Sequence, residues 1–133
     1  MPWGIVFTGF RFGAVGARAL LKPYLADRMA VMYAGRIVEE GPTAEVLAGP
    51  KHPYTRGLLT AMPRISGDVA AARPLPGRVP DLASVPRQGC VFRPRCPLAI
   101  DVCASVEPPD TVLGDTAPGG RRFACHVTAG EAA

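Results

Sequence analysis

Four cysteines confined to the last third of the chain, Cys90, Cys96, Cys103 and Cys125, constrain this sequence more than any other feature. Five, six and twenty-one residues separate them, and arginines flank the set: Arg93 and Arg95 beside Cys96, Arg121 and Arg122 near Cys125. The segment from about Arg87 to Val127 has too few apolar residues to fold on a core of its own, so a staple through the four sulfurs is expected to hold it.

Three chemistries use four cysteines. Disulfides would imply an oxidising compartment; residues 1–25 are apolar and basic, but Arg11 interrupts them and they do not read as an export signal. A structural zinc site would use four thiolates, yet its ligands come in close C-x₂₋₄-C pairs, which C-x₅-C and C-x₆-C are not. An iron–sulfur cluster takes the same Cys₄ set and is large enough to be reached from separate loops, although the spacing matches neither ferredoxin pattern. The arginines would favour thiolate over thiol and offset the charge of a thiolate-bound centre, or they are ordinary surface arginines. His126 adjoins Cys125 as a candidate substitute ligand, and His52 stands where a helix begins. Neither histidine has a partner at a catalytic spacing, so no catalytic residue is assigned.

Upstream, Met29-Ala30-Val31-Met32-Tyr33 and Arg36-Ile37-Val38-Glu39-Glu40 read as two strands of a hairpin turning at Ala34-Gly35, where glycine accepts positive φ. Thr43 is placed to cap a short helix through Leu47, with Gly49 just past its end and Pro50 beyond. His52-Pro53-Tyr54 opens a second helix with Tyr54, Leu58 and Met62 on one face, read as core; Pro63 stops it. Residues 64–73 form a connector, and Leu75 to Leu82 an extended segment stiffened by proline. Fifteen prolines and fifteen glycines make everything after Pro63 loop-rich. The fold class is therefore α+β: a short hairpin, two helices and a loop-rich Cys₄ lobe, with the first 25 residues unassigned.

The net charge of +4 comes from thirteen arginines and two lysines spread thinly. They form no stripe interleaved with aromatics, so nucleic acid is not expected as a partner. No apolar run approaches the length of a membrane span.

Asp27 to Gly41 resembles the closing hairpin of an ABC-transporter ATP-binding subunit. His52-Pro53-Tyr54-Thr55-Arg56-Gly57-Leu58-Leu59, then Pro76-Gly77 with Pro80, then Gly89-Cys90-Val91-Phe92-Arg93-Pro94-Arg95-Cys96, resemble the C-terminal extension of the dipeptide, oligopeptide and nickel importer branch. The likeness runs from about Ala26 to Val127, and the order of motifs makes it specific. It implies three segments: 1–25 unassigned, 26–50 a remnant of the ATP-binding domain, and 51–133 the extension with its Cys₄ site. It implies a [4Fe–4S] cluster on Cys90, Cys96, Cys103 and Cys125, favoured over zinc. It also implies ATP in the full-length family, membrane permease subunits and a second ATP-binding subunit as partners, and a place in the cytoplasm, peripheral on the plasma membrane.

Within these 133 residues no G-x-x-x-x-G-K-[ST] loop occurs, nor a Walker B strand, a signature stretch or a switch histidine. The chain alone is expected not to hydrolyse ATP and to be part of a longer subunit; an independent metal-binding module is the competing reading. The transported solute, dipeptide, oligopeptide or nickel, cannot be read from these residues.

Overall fold

In a computed structural model of the chain, the described residues are 5–8 (backbone only), 26–62, 74–81, 83–114 and 120–127. Five strands form one antiparallel sheet in the order β1-β2-β3-β5-β4: β1 (Ile5–Thr8), β2 (Arg28–Tyr33), β3 (Arg36–Pro42), β4 (Asp110–Leu113) and β5 (Arg121–Ala124). Two helices follow the hairpin, α1 (Thr43–Ala48) and α2 (Pro53–Ala61), and two short 3₁₀ turns, Arg93–Arg95 and Asp101–Ala104, lie in the cysteine lobe. This is the α+β architecture expected. The connector 64–73 lies outside the described residues.

The β2–β3 hairpin turns at Ala34 and Gly35, both at positive φ (49° and 79°). Two such residues in a two-residue loop match the right-handed twist of the flanking strands. The sequence anticipated the geometry for Gly35 but not for Ala34. The register is also uneven. Val31 faces Glu39 while Met32 faces Ile37, which leaves Val38 as an extra residue on β3. That bulge lets the consecutive residues Val38 and Glu39 both be buried, which a regular strand with one covered face would forbid.

Helix α1 departs from expectation at both ends. Thr43 does not cap it: Pro42 holds the cap position, and the Thr43 hydroxyl donates instead to the Ala26 carbonyl at 2.8 Å. The start of the helix is thereby tied to the start of the hairpin. Gly49 ends α1 at φ −148°, so the left-handed termination expected there is not used. Helix α2 begins as its sequence predicts, with Pro53 in the first turn. Tyr54 is buried in the core, Leu58 packs against it and Met62 is half-buried, so this face is intramolecular as read.

One core joins the hairpin, the helices and the lobe. It contains Met29, Val31, Tyr33 and Val38 from the hairpin, Val46 and Tyr54 from the helices, and Cys90, Val91, Phe92 and Cys103 from the lobe. The lobe was expected to rest on its sulfurs alone. It rests as well on Phe92, inserted among Tyr33, Tyr54 and His52 with ring centroids at 5.0, 5.3 and 5.7 Å. Strands β4 and β5 follow the lobe and pair back onto β3 through Glu39↔Phe123 and Glu40↔Arg122, so the sheet is completed only after the chain has passed through the lobe.

Candidate metal centre

Each cysteine is positioned by a different local device. Cys90 precedes the first 3₁₀ turn and Cys96 ends it, with the Cys96 N–H donating to the Arg93 carbonyl at 3.2 Å. Cys103 lies within the second 3₁₀ turn, and Cys125 follows the last residue of β5. The first and third are joined directly, since the Cys90 N–H donates to the Cys103 carbonyl at 2.9 Å.

That approach depends on Gly89. Its φ is +72°, and a Cβ there would stand 2.3 Å from the Cys103 carbonyl oxygen and 2.8 Å from backbone atoms of Ala104. Backbone cannot rotate aside as a side-chain tip can. Gly89→Ala is expected to destabilise the fold by at least about 1–2 kcal/mol from the left-handed conformation alone, and to make Cys90 and Cys103 more reactive toward a thiol reagent. Thermal unfolding with thiol titration measures both. Gly49→Ala is the control, because a Cβ there meets nothing within 4 Å; a similar loss in the two variants would refute the steric account.

All four cysteines are free thiols. Cys90 feels Cys103; Cys96 feels Cys90 and Cys103; Cys125 feels the other three. The fold therefore gathers residues from positions 90 to 125 into one electrostatic neighbourhood. Burial pushes the Cys90 and Cys96 thiols up, and Cys125 up to about 11, with the neighbouring sulfurs adding to the effect. Backbone N–H groups act the other way and favour thiolate: Phe92 and Arg93 on Cys90, Leu98 on Cys96, Val127 on Cys125. Three of the sulfurs thus meet the backbone N–H two residues further on. The Cys125 thiol itself donates to the Val127 carbonyl at 2.7 Å.

As donors, four sulfurs with amide N–H groups turned toward three of them suit a thiolate-bound centre. Among the described residues, however, no three Cys, His, Asp or Glu side chains are gathered as a single metal ion requires. Three of the four flanking arginines are engaged away from the sulfurs. Arg95 donates through Nε to the Pro76 carbonyl at 2.9 Å and so holds the proline-stiffened segment; Arg122 pairs with Glu40 and Asp110 at 2.9 and 3.0 Å; Arg121 is buried against Glu39. His126 donates its Nε2–H to the Val106 carbonyl at 3.0 Å. His52 caps and packs as read, its Nδ1 accepting the Tyr54 N–H at 3.1 Å.

The pair Glu39–Arg121 could not be found from the sequence. The Glu39 carboxylate accepts from the Lys51 N–H at 3.0 Å, the His52 N–H at 2.9 Å, and Arg121 Nε and Nη2 at 3.2 and 2.5 Å. Arg121 also donates to the carbonyls of Glu45 and Gly49 at the end of α1. Gly41 permits this, for a Cβ on it would lie 2.8 Å from the Arg121 stem. The partners are 82 residues apart and each stands beside a second residue of its own charge, so no local pattern marks them.

Residues 38–103 match the family described as the oligopeptide/dipeptide transporter, C-terminal region. Over 112 residues, 80% of this chain and 31% of the relative, the sequence is 43% identical to a peptide import ATP-binding protein of Brucella ovis. It is 45% identical over 103 residues to one of Brucella abortus, covering 77% of this chain and 29% of that protein. It is 47% identical over 113 residues to a peptide ABC transporter ATP-binding protein of Sinorhizobium fredii, covering 83% and 30%. The chain spans about a third of the length of these curated relatives. The chain belongs to the oligopeptide/dipeptide transporter family and carries its C-terminal region.

Proposed function

We propose that this chain acts as the C-terminal module of a peptide-import ATP-binding subunit, and that its four cysteines hold a [4Fe–4S] cluster in preference to zinc. The single observation that supports the cluster is the approach of two cysteine segments, the Cys90 N–H donating to the Cys103 carbonyl at 2.9 Å, in a lobe whose four cysteines are all free. When bound, such a centre supplies metal–thiolate bonds that tie the loops of the lobe together. Burial raises the Cys90, Cys96 and Cys125 thiols, so uptake releases protons and weakens as pH falls.

Binding, and no chemistry on ATP, is the role assigned to these residues. Within them there is neither a phosphate-cradling loop nor a lysine set for one. The similar proteins are named for peptide import and ATP binding; the setting proposed for this module is the one that the family resemblance implies, with permease subunits and a second ATP-binding subunit as partners on the cytoplasmic face of the plasma membrane. Among the described residues no helix is long and apolar enough to cross a membrane. Against an independently acting metal lobe stands its shared core, because Phe92 packs into the hairpin and helices.

The test is anaerobic purification of the chain followed by metal and sulfide analysis. Iron and acid-labile sulfide are expected in near-equal amounts, with broad visible absorbance that is lost in Cys96→Ser. Stoichiometric zinc without iron would refute the cluster, and ATP turnover by the same preparation would refute the non-catalytic assignment.

A further inference from the structure

A cleft of about 430 Å³ lies where the hairpin, the cysteine lobe and the segment leading into β4 meet. Strand β3 runs three residues, Arg36 to Val38, beyond its ladder with β5, which registers only at Glu39 and Glu40. Ala124 at the end of β5, Pro108, and Gly89 to Val91 of the lobe close the other walls. Of the four cysteines only Cys90 lines the cleft, so it is not a space shared by the sulfurs.

The lining is layered. Val38, His52, Cys90 and Val91 are its buried residues, and Ile37 extends the apolar wall toward solvent. Four charged side chains stand at the mouth, each at least a third exposed: Arg36 pairs with Glu107, and Arg122 with Asp110 at 3.0 Å. Two cations and two anions leave that mouth without net charge.

Among the buried residues one donor is unused. The Nδ1 of His52 accepts the Tyr54 N–H at 3.1 Å, so the ring proton is on Nε2. That Nε2–H makes no hydrogen bond among the described residues, yet it is not one of their fully enclosed unpaired atoms. Since the ring is 1% exposed and lines the cleft, the cleft is where the N–H opens. A donor so sheltered costs free energy until an acceptor reaches it.

We propose that this cleft is a binding site for a small uncharged molecule with an apolar body and a carbonyl oxygen, such as an aliphatic carboxamide, the oxygen accepting from His52 Nε2–H. The volume falls within the range of small-molecule pockets, which combine apolar walls with a few placed polar groups. Ile37, Val38 and Val91 receive the body. A net charge on the ligand is disfavoured because the charges at the mouth already neutralise one another, leaving nothing to offset its desolvation. The site is independent of any metal on the cysteines, since it asks of Cys90 only a place in the buried wall.

The probe is 4-methylpentanamide, read by saturation-transfer NMR on the 133-residue chain. A dissociation constant of about 1–10 mM is expected, the range open to so small a ligand. 4-Methylpentanoate and isohexylamine share the apolar body but carry a charge, and the amine also lacks the oxygen; each is expected to bind at least about 5-fold more weakly. His52→Asn retains an acceptor for the Tyr54 N–H but does not extend a donor into the cleft, and is expected to weaken the amide about 5-fold. Ile37→Trp fills the cleft from its mouth and is expected to abolish binding. Ile100→Thr, at an exposed apolar residue outside the cleft, is expected to bind as wild type. No saturation transfer from the amide at 20-fold that concentration range, equal binding of either ion, or wild-type affinity in His52→Asn would overturn the proposal. Should His52→Asn not fold by circular dichroism, Ile37→Trp decides: lost binding supports the site and retained binding overturns it.

Discussion

Phe92→Ala is expected to destabilise the chain by about 3–5 kcal/mol, the range for truncating a buried aromatic. Phe92 is fully buried, and its ring meets Tyr33 edge-on at 5.0 Å with 80° between planes. Tyr54 at 5.3 Å and His52 at 5.7 Å close the remaining sides. Collapse into the vacated space is resisted because Tyr33 and Tyr54 already brace each other at 4.8 Å and His52 is fixed by its cap to Tyr54. The effect should not stop at stability. Phe92 makes the ring contacts that tie the Cys90–Cys96 segment to the aromatic cluster, so its loss should also raise the reactivity of those thiols. Urea unfolding of the metal-free protein measures the first effect and thiol titration the second. Val112→Ala, on the exposed edge strand, should change neither. A loss below about 1.5 kcal/mol for Phe92→Ala would mean that the lobe is held by its loops alone.

The local elements were legible where a residue's own chemistry determines them. Gly35 announces the hairpin, Pro53 the start of α2, and the spacing of Tyr54 and Leu58 its buried face. The four cysteines were legible as a set; the two 3₁₀ turns and the strand end that carry them were not. What stayed hidden depends on residues far apart in the chain. Thr43 reads as a cap because it precedes a helix, and only the folded chain places the Ala26 carbonyl where its hydroxyl goes. Glu39 reads only as part of a hairpin strand, and nothing in the sequence marks it for burial. It is buried because a bulge at Val38 turns it inward and because Arg121, 82 residues away, returns on a strand that completes the sheet. The two readings of the arginines near the cysteines stayed open in the sequence for the same reason. Proximity in sequence suggested charge for the sulfurs, whereas the topology sends Arg121 and Arg122 to acids on β3 and Arg95 to the carbonyl of Pro76.

The stability of the chain is expected to fall by about 3 kcal/mol between pH 6.5 and pH 4 on account of His52 alone, following from the linkage of proton binding to folding. Burial lowers its pKa from the usual 6.5 to about 4, against the attraction of the nearby Glu39 carboxylate. The ring is 1% exposed. Above pH 6.5 His52 is neutral in both folded and unfolded chains and contributes no slope. Between 6.5 and 4 the unfolded chain takes up a proton that the folded one refuses, so stability declines as pH falls, by at most about 1.4 kcal/mol per pH unit. Below about 4 both states are protonated and the loss is complete. The cost has a structural counterpart. Protonation removes the Nδ1 lone pair that accepts the Tyr54 N–H, uncapping α2 and placing a charge beside Phe92. His52→Asn retains an acceptor for the cap but cannot titrate, so the difference in unfolding free energy between wild type and variant isolates this residue from the carboxylates that titrate alongside it. That difference should shift by about 3 kcal/mol between pH 6.5 and 4. A flat difference across that interval would show that His52 is charged or solvated in the folded chain, and would remove the basis for treating its neighbour Phe92 as sealed from water.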